Sequence, residues 1–135
     1  MGDFISFTKI QLKVLVVEDN HIIRTSLAQL FDNHFQHTYY ADNGKMGLEL
    51  YLEHKPDVVF TDIAMPGMDG IEMLYNIKEQ SDQMPMCIIL SAFENPNSTR
   101  SFTGLKIFKT IKKPFNFSEL EKLVAEISEH HNLPE

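Results

Sequence analysis

Short apolar runs alternate along the chain with longer stretches in which apolar side chains recur every three or four residues. The first run, residues 14–17, is continuously apolar and mostly β-branched, which is typical of a strand buried on both faces. The second run is more polar and suits the edge of a sheet. The predicted strands cover residues 14–17, 37–41, 56–62, 85–90 and 107–111.

The intervening stretches have the spacing of amphipathic helices. Residues 20–33 form the first predicted helix, and Asp19 or Asn20 is expected to cap it. The helical signal is weakest in residues 95–104, where we expect a short or mobile helix. The other predicted helices follow Asn43-Gly44, Gly70 and a capping box at Ser118-Glu119-Leu120-Glu121.

Strands that alternate with helices favour right-handed βαβ units, in which helices cover both faces of a parallel sheet. We therefore predict an α/β fold with a doubly wound, five-stranded parallel sheet. A chain of 135 residues suits one domain. The pattern divides the chain into an N-terminal leader at residues 1–12, the domain at residues 13–129 and a C-terminal tail at residues 130–135.

Polar side chains follow four of the five apolar runs at the point where each run ends. Ligands of parallel α/β sheets bind at the carboxyl ends of the strands, so we expect these side chains to converge on one crevice. Acids, a hydroxyl and an ammonium together indicate a site for a divalent cation and a phosphoryl group. The residues are Glu18 and Asp19, Asp62, Ser91 and Lys113.

Mg²⁺ prefers oxygen ligands, often one or two carboxylates completed by water. Asp19 and Asp62 can supply the carboxylates, with Glu18 acting through water and the backbone carbonyl of Ala64 as a further ligand. Mn²⁺ is a substitute ion with the same preference.

A carboxylate is also a competent nucleophile toward phosphorus, so Asp62 can form an acyl phosphate. Lys113 would offset charge on the phosphoryl oxygens, and Ser91 could donate a hydrogen bond to one of them. The peptide bond before Pro114 is a candidate cis bond.

Each of these residues has an ordinary structural explanation when taken alone. Glu18 and Asp19 could be no more than an acidic helix start, Asp62 a turn residue and Lys113 a solvated surface side chain. Their joint arrival at one sheet edge favours the functional explanation.

The overall composition excludes several classes of protein. A formal net charge of −7 argues against direct nucleic-acid binding, and no apolar run approaches the length of about 18 residues that spans a bilayer. The single Cys87 cannot form an intrachain disulfide, which fits a reducing compartment. We expect a cytoplasmic protein without membrane contact.

With these motifs in place, the chain resembles the receiver domains of bacterial two-component response regulators, specifically the chemotaxis receivers. The resemblance runs from residue 13 to about residue 129 with the motif spacing preserved, and it implies the strand order 2-1-3-4-5. The motifs that carry it are residues 14–20, residues 57–62 with 65–70, residues 85–92 and Lys113-Pro114-Phe115.

The resemblance implies a phosphorylation-dependent switch in which Asp62 is the phosphoacceptor. It also implies that Glu18 and Asp19 hold Mg²⁺. Ser91 would be the switch hydroxyl, and Lys113 would contact the phosphoryl group. The donor would be a phosphohistidine on a sensor histidine kinase or a histidine phosphotransfer protein, docked near the first helix. The effector is not identified by the sequence.

The sequence departs from the family pattern on the output side. Thr110 stands where the family commonly has an aromatic residue, so we expect switching in the loop after Ser91 and the weak helix instead. Residues 104–109 also lack the usual small and acidic side chains. Ala64 and Phe93 flank the phosphoryl site, which leaves the rate of dephosphorylation open.

Two other functions compete with the switch. A Mg²⁺-dependent phosphohydrolase could use Asp62 as nucleophile, but such enzymes usually need a second Asp at the position of Ala64. A degenerate receiver that only binds partners would not need the complete acidic set. Both are less consistent with the sequence.

Overall fold

The protein is described by a computed structural model, which defines residues 9–92 and 102–132. Five strands and four helices lie within these residues. Their bounds are β1 Ile10–Val17, α1 His21–His34, β2 Phe35–Ala41, α2 Gly44–His54, β3 Val58–Asp62, α3 Gly70–Gln80, β4 Met86–Ser91, β5 Ile107–Lys112 and α4 Phe117–Asn132.

The strands form one parallel sheet in the order β2-β1-β3-β4-β5, as predicted. In the register of the sheet, Val16 of β1 lies between Tyr40 of β2 and Phe60 of β3. The carboxyl ends of β1, β3, β4 and β5 therefore meet at one edge. The polar residues that follow these strands are delivered to the same place.

Each face of the sheet buries its own apolar core, which explains why β3, β4 and the second half of β1 are almost continuously apolar. One core packs α1 and α4 against the sheet, with Phe31 and Leu123 among its fully buried side chains. The other core packs α2 and α3, with Met73 and Leu74 at its centre. The two cores fix the sheet between two helical layers.

Several element bounds differ from those predicted. Strand β1 begins at Ile10, inside the segment predicted as a leader, because residues 10–12 continue the sheet beside β2. Helix α4 continues to Asn132, past residue 129. Most of the helix predicted for residues 95–104 lies outside the described residues, while residues 102–105 form a turn closed by Leu105 N donating to Phe102 O at 3.0 Å.

The helix starts show one correct and one wrong prediction. Asn20 caps α1 by accepting from Ile23 N at 2.9 Å. The capping box predicted at Ser118-Glu119-Leu120-Glu121 is wrong, because α4 begins at Phe117 and Asn116 Oδ1 accepts from Glu119 N at 2.8 Å. Asn caps a helix at least as well as Ser, so the helix starts earlier.

None of the helices in residues 9–92 and 102–132 combines the length and the apolar character needed to cross a bilayer.

The cap of α4 provides a direct stability test. Asn116→Ala should lower the free energy of unfolding by about 1 kcal/mol, because the amide of Glu119 loses its acceptor. The matched variant Ser118→Ala should change it by less than about 0.5 kcal/mol, since Ser118 is exposed within the helix. Urea unfolding of both variants measures the difference. Equal losses of unfolding free energy in the two variants would support the capping box at Ser118 instead.

Candidate functional site

Three carboxylates meet at the carboxyl edge of the sheet. Glu18 and Asp19 follow β1, and Asp62 is the last residue of β3, the neighbouring strand. One oxygen from each of the three carboxyl groups lies within 4.8 Å of the others. The structure therefore brings together the acids that the sequence predicted would converge.

Glu18 is fully buried at this edge and is held from several sides. Its backbone N donates to Ala41 O at 3.0 Å, and its carbonyl accepts from an Arg24 guanidinium nitrogen at 2.8 Å. Its Oε2 accepts from Asn20 N at 3.0 Å. These contacts fix the end of β1 and aim the Glu18 carboxylate into the crevice.

Lys113 directly follows β5 and contacts the acids at the carboxyl edge of the sheet. Its Nζ lies 2.6 Å from Glu18 Oε1 and 3.2 Å from Asp62 Oδ2. Its backbone N donates to Ser91 O at 2.6 Å, and the Lys113-Pro114 peptide bond is cis, as predicted. One ammonium thus contacts two of the three carboxylates.

Burial and neighbouring charge change the acidity of Asp62, which is 7% exposed. Desolvation, and then repulsion from Glu18 and Asp19, raise its pKa from 3.8 to about 6, while Lys113 pulls the pKa in the opposite direction. Burial and the neighbouring acids together therefore outweigh the single ammonium. The crevice favours any added positive charge.

The donor set fits a hard divalent cation. Three carboxylates against one ammonium leave an excess of negative charge in a largely buried site. Glu18 Oε1 is buried, and its contact among the described residues is the ion pair with the Lys113 ammonium at 2.6 Å. Carboxylate oxygens with free lone pairs are the ligands that Mg²⁺ uses, so the residues fit this ion.

The other residues singled out in the sequence differ in their positions. Ser91 is buried at the end of β4, next to Lys112 in the sheet register. Ala64 is exposed in the loop two residues after Asp62, and Thr110 is exposed on β5. Phe93 lies outside the described residues.

Sequence reasoning missed the residues that support the acids. Arg24 anchors the carbonyl of Glu18, and its position one helical turn after Asn20 was the available signal. Thr61 was counted only as part of a strand, but its buried Oγ1 donates to Asp62 O at 2.8 Å. A hydroxyl inside an apolar run was the signal there.

The family pattern described as "Response regulator receiver domain" matches residues 14–125. This range includes the five candidate site residues Glu18, Asp19, Asp62, Ser91 and Lys113. The chain belongs to this family. It is therefore a phosphorylation-dependent signalling module, and the phosphohydrolase alternative is not favoured.

Known proteins with similar sequences and structures agree with this assignment. Sporulation initiation phosphotransferase F from Bacillus subtilis (strain 168) is 31% identical over 112 residues, which are 83% of this chain and 90% of that protein. Three other similar proteins, among them the regulatory protein AtoC from Escherichia coli (strain K12), are longer, and this chain covers 24% to 46% of their length.

Two solved structures show the same receiver fold. The N-terminal domain of an uncharacterized protein from Wolinella succinogenes is 34% identical with a TM-score of 0.78, over 89% of this chain and 95% of that one. The CheX-CheY-BeF3-Mg²⁺ complex from Borrelia burgdorferi contains a chain that is 30% identical with a TM-score of 0.74, over 87% of this chain and 90% of that one.

The raised pKa of Asp62 predicts how its charge affects stability. Between pH 3.8 and about 6 the folded state holds more protons than the unfolded state, so the free energy of unfolding falls as pH rises through this range. Asp62→Asn removes that penalty. Without divalent cations, the variant should be more stable than the parent by about 1–3 kcal/mol at pH 7.

Urea unfolding in EDTA from pH 4 to 7 measures this difference. The advantage of the Asn variant should grow as pH rises toward 6 and then stay constant. Asp82→Asn, at an exposed position, is the control and should show no such trend. A variant at residue 62 that is less stable than the parent at pH 7 would contradict the proposed repulsion.

Proposed function

We propose that Asp62 accepts a phosphoryl group from a phosphohistidine and forms an acyl phosphate. The observation that carries this proposal is the placement of Asp62 at the sheet edge, among two further acids and one ammonium. Its side chain is 10% exposed, so it is accessible at the surface of the crevice but largely shielded from bulk water. With a pKa of about 6, Asp62 is mainly ionised at neutral pH and can act as a nucleophile.

In the transfer step, an oxygen of Asp62 attacks phosphorus and forms the new P–O bond. The P–N bond to the donor histidine breaks, and its electron pair goes to the imidazole nitrogen. Lys113, which contacts Asp62 at 3.2 Å, is placed to offset charge on the phosphoryl oxygens. We assign to the Ser91 hydroxyl a hydrogen bond to one of these oxygens.

We assign the metal site to Asp19 and Asp62, with the Ala64 carbonyl as a third protein ligand and Glu18 acting through water. Mg²⁺ is the proposed ion, with Mn²⁺ as a substitute. When bound, the cation would offset the charge of an anionic donor and of the acids themselves. The BeF3 and Mg²⁺ in the Borrelia burgdorferi complex support this assignment, since BeF3 resembles a phosphoryl group.

The donor surface is the groove between α1 and the start of α4. This groove has a volume of about 310 Å³, and Lys113 lines it at the side of the acidic site. Ile22 and Phe117 flank it and are 75% and 56% exposed, so together they offer an apolar surface to a partner. A sensor histidine kinase or histidine phosphotransfer protein that covers this groove would bring its phosphohistidine close to Asp62.

The chemistry that we propose is confined to the domain's own Asp62, which is phosphorylated and whose acyl phosphate is later hydrolysed by water, releasing phosphate and the free carboxylate. The chain is thus a switch rather than an enzyme acting on separate substrates. It passes its signal to an effector that the sequence does not identify. The single buried thiol of Cys87 fits the cytoplasmic location that we propose.

Mass spectrometry after incubation with acetyl phosphate and Mg²⁺ tests the nucleophile. The parent protein should gain one phosphoryl group at Asp62, and EDTA should prevent the gain. Asp62→Asn should gain none, whereas Asp57→Asn, at the residue just before β3, should be labelled like the parent. Labelling of the Asp62→Asn variant would overturn the assignment and direct attention to Asp19 or Glu18.

Thermal unfolding with increasing Mg²⁺ tests the metal site. The melting temperature should rise by several degrees at saturating Mg²⁺, because the ion binds only the folded arrangement of acids. Asp19→Ala should lose this rise, while the exposed control Asp82→Ala should retain it. If Mg²⁺ does not change the melting temperature of the parent protein, the proposed metal site is wrong.

A further inference from the structure

The loop that follows Asp62 leaves the sheet and returns to it at the start of α3. Its two ends, Ile63 and Gly70, lie close together, and we call this point the neck. At this neck Gly70 N donates to Ile63 O at 2.9 Å, which closes residues 63–70 into a compact loop. Thr61 Oγ1 donates to Asp62 O at 2.8 Å. The backbone of Asp62 is therefore held at the base of the loop that carries Ala64.

The neck leaves no room for a side chain at residue 70. A Cβ on Gly70 would lie 2.0 Å from Asp62 O and 2.9 Å from Thr61 Oγ1. The two atoms that crowd this position are thus the partners of the Thr61 hydrogen bond. The first residue of α3 packs directly onto the backbone of Asp62, because glycine has no Cβ there.

Thr61 is an unusual residue for its environment. It is fully buried and lies beside Val17 of β1 and Ile89 of β4 in the sheet register. A valine of nearly the same shape would suit these apolar neighbours, and a buried hydroxyl is unfavourable unless it is hydrogen-bonded. The hydroxyl here is used on the carbonyl of Asp62.

We propose that Thr61 and Gly70 are positioning residues for the phosphoryl and metal site. They fix the backbone of Asp62 and the start of the loop, so that the Asp62 carboxylate and the Ala64 carbonyl reach the same ion. This inference rests on the proposed function of Asp62. Residues that orient a metal ligand commonly change metal affinity by about 10–100-fold when they are replaced.

Thr61→Val tests the hydroxyl with little change in shape. We expect Mg²⁺ affinity, measured by isothermal titration calorimetry, to fall about tenfold. Thr61→Ser keeps the hydroxyl and should restore affinity to within about threefold of the parent. Gly70→Ala should weaken Mg²⁺ binding at least as much as Thr61→Val, because the Asp62 carbonyl must move away from the new methyl group.

Val59→Ala is the matched control for lost stability. Val59 is fully buried two residues earlier on the same face of β3, where it belongs to the apolar core packed by α2 and α3. This variant should unfold more easily but bind Mg²⁺ like the parent. Loss of Mg²⁺ affinity in Val59→Ala equal to that in Thr61→Val would show that the effect is general destabilisation and would overturn the inference.

Labelling by acetyl phosphate separates this inference from the proposed function. If the parent is labelled at Asp62 but Thr61→Val binds Mg²⁺ and is labelled as the parent is, the positioning role is wrong and the function stands. If the parent is not labelled at Asp62, the proposed function fails. A tenfold loss that Thr61→Ser restores supports the positioning role.

Discussion

The site depends on one ammonium group that is placed between two buried carboxylates. Lys113 Nζ lies 2.6 Å from Glu18 and 3.2 Å from Asp62, and Asp19 adds a third negative charge close by. Buried charges of the same sign are unfavourable unless they are compensated. Lys113 compensates only part of this charge, and we propose that a bound divalent cation compensates the rest.

The rest of the fold holds the three carboxylates and the Lys113 ammonium in this arrangement. Asp62 and Lys113 come from β3 and β5, which are separated by β4, and the bond from Lys113 N to Ser91 O ties the lysine to the end of β4. Two apolar cores hold the sheet rigid from both sides. Because the strand ends cannot move far, the acids cannot relieve their repulsion by separating.

The sequence predicted the five strands and the parallel α/β sheet well, because both depend on strong local patterns. Continuous apolar runs reveal buried strands, and a carboxylate at the end of Val58–Asp62 is visible without a structure. The strand order itself came from the family resemblance. The supporting contacts were not predictable in the same way, since the bond from Arg24 to Glu18 O and the neck at Gly70 depend on how separate elements pack. The cap at Asn116 was missed because two good capping residues compete within three positions.

Near Thr110, where the sequence predicted an atypical signal-transmission surface, an ion pair connects β5 to α4. Thr110 is exposed on β5, and next to it Lys109 Nζ lies 3.0 Å from both carboxylate oxygens of Glu126 on α4. This partly exposed ion pair links β5 to α4 without an aromatic side chain at residue 110. Switching through the loop after Ser91 stays a prediction, since residues 93–101 lie outside the described part of the chain.

Carboxyl ¹³C NMR of Asp62 across pH, with and without Mg²⁺, tests the central claim of uncompensated negative charge most directly. Without the cation, the resonance of Asp62 should titrate with a pKa of about 6. Saturating Mg²⁺ should shift that titration to lower pH, because the ion competes with the proton for the same carboxylate. A pKa near 3.8 that does not respond to Mg²⁺ would contradict the account.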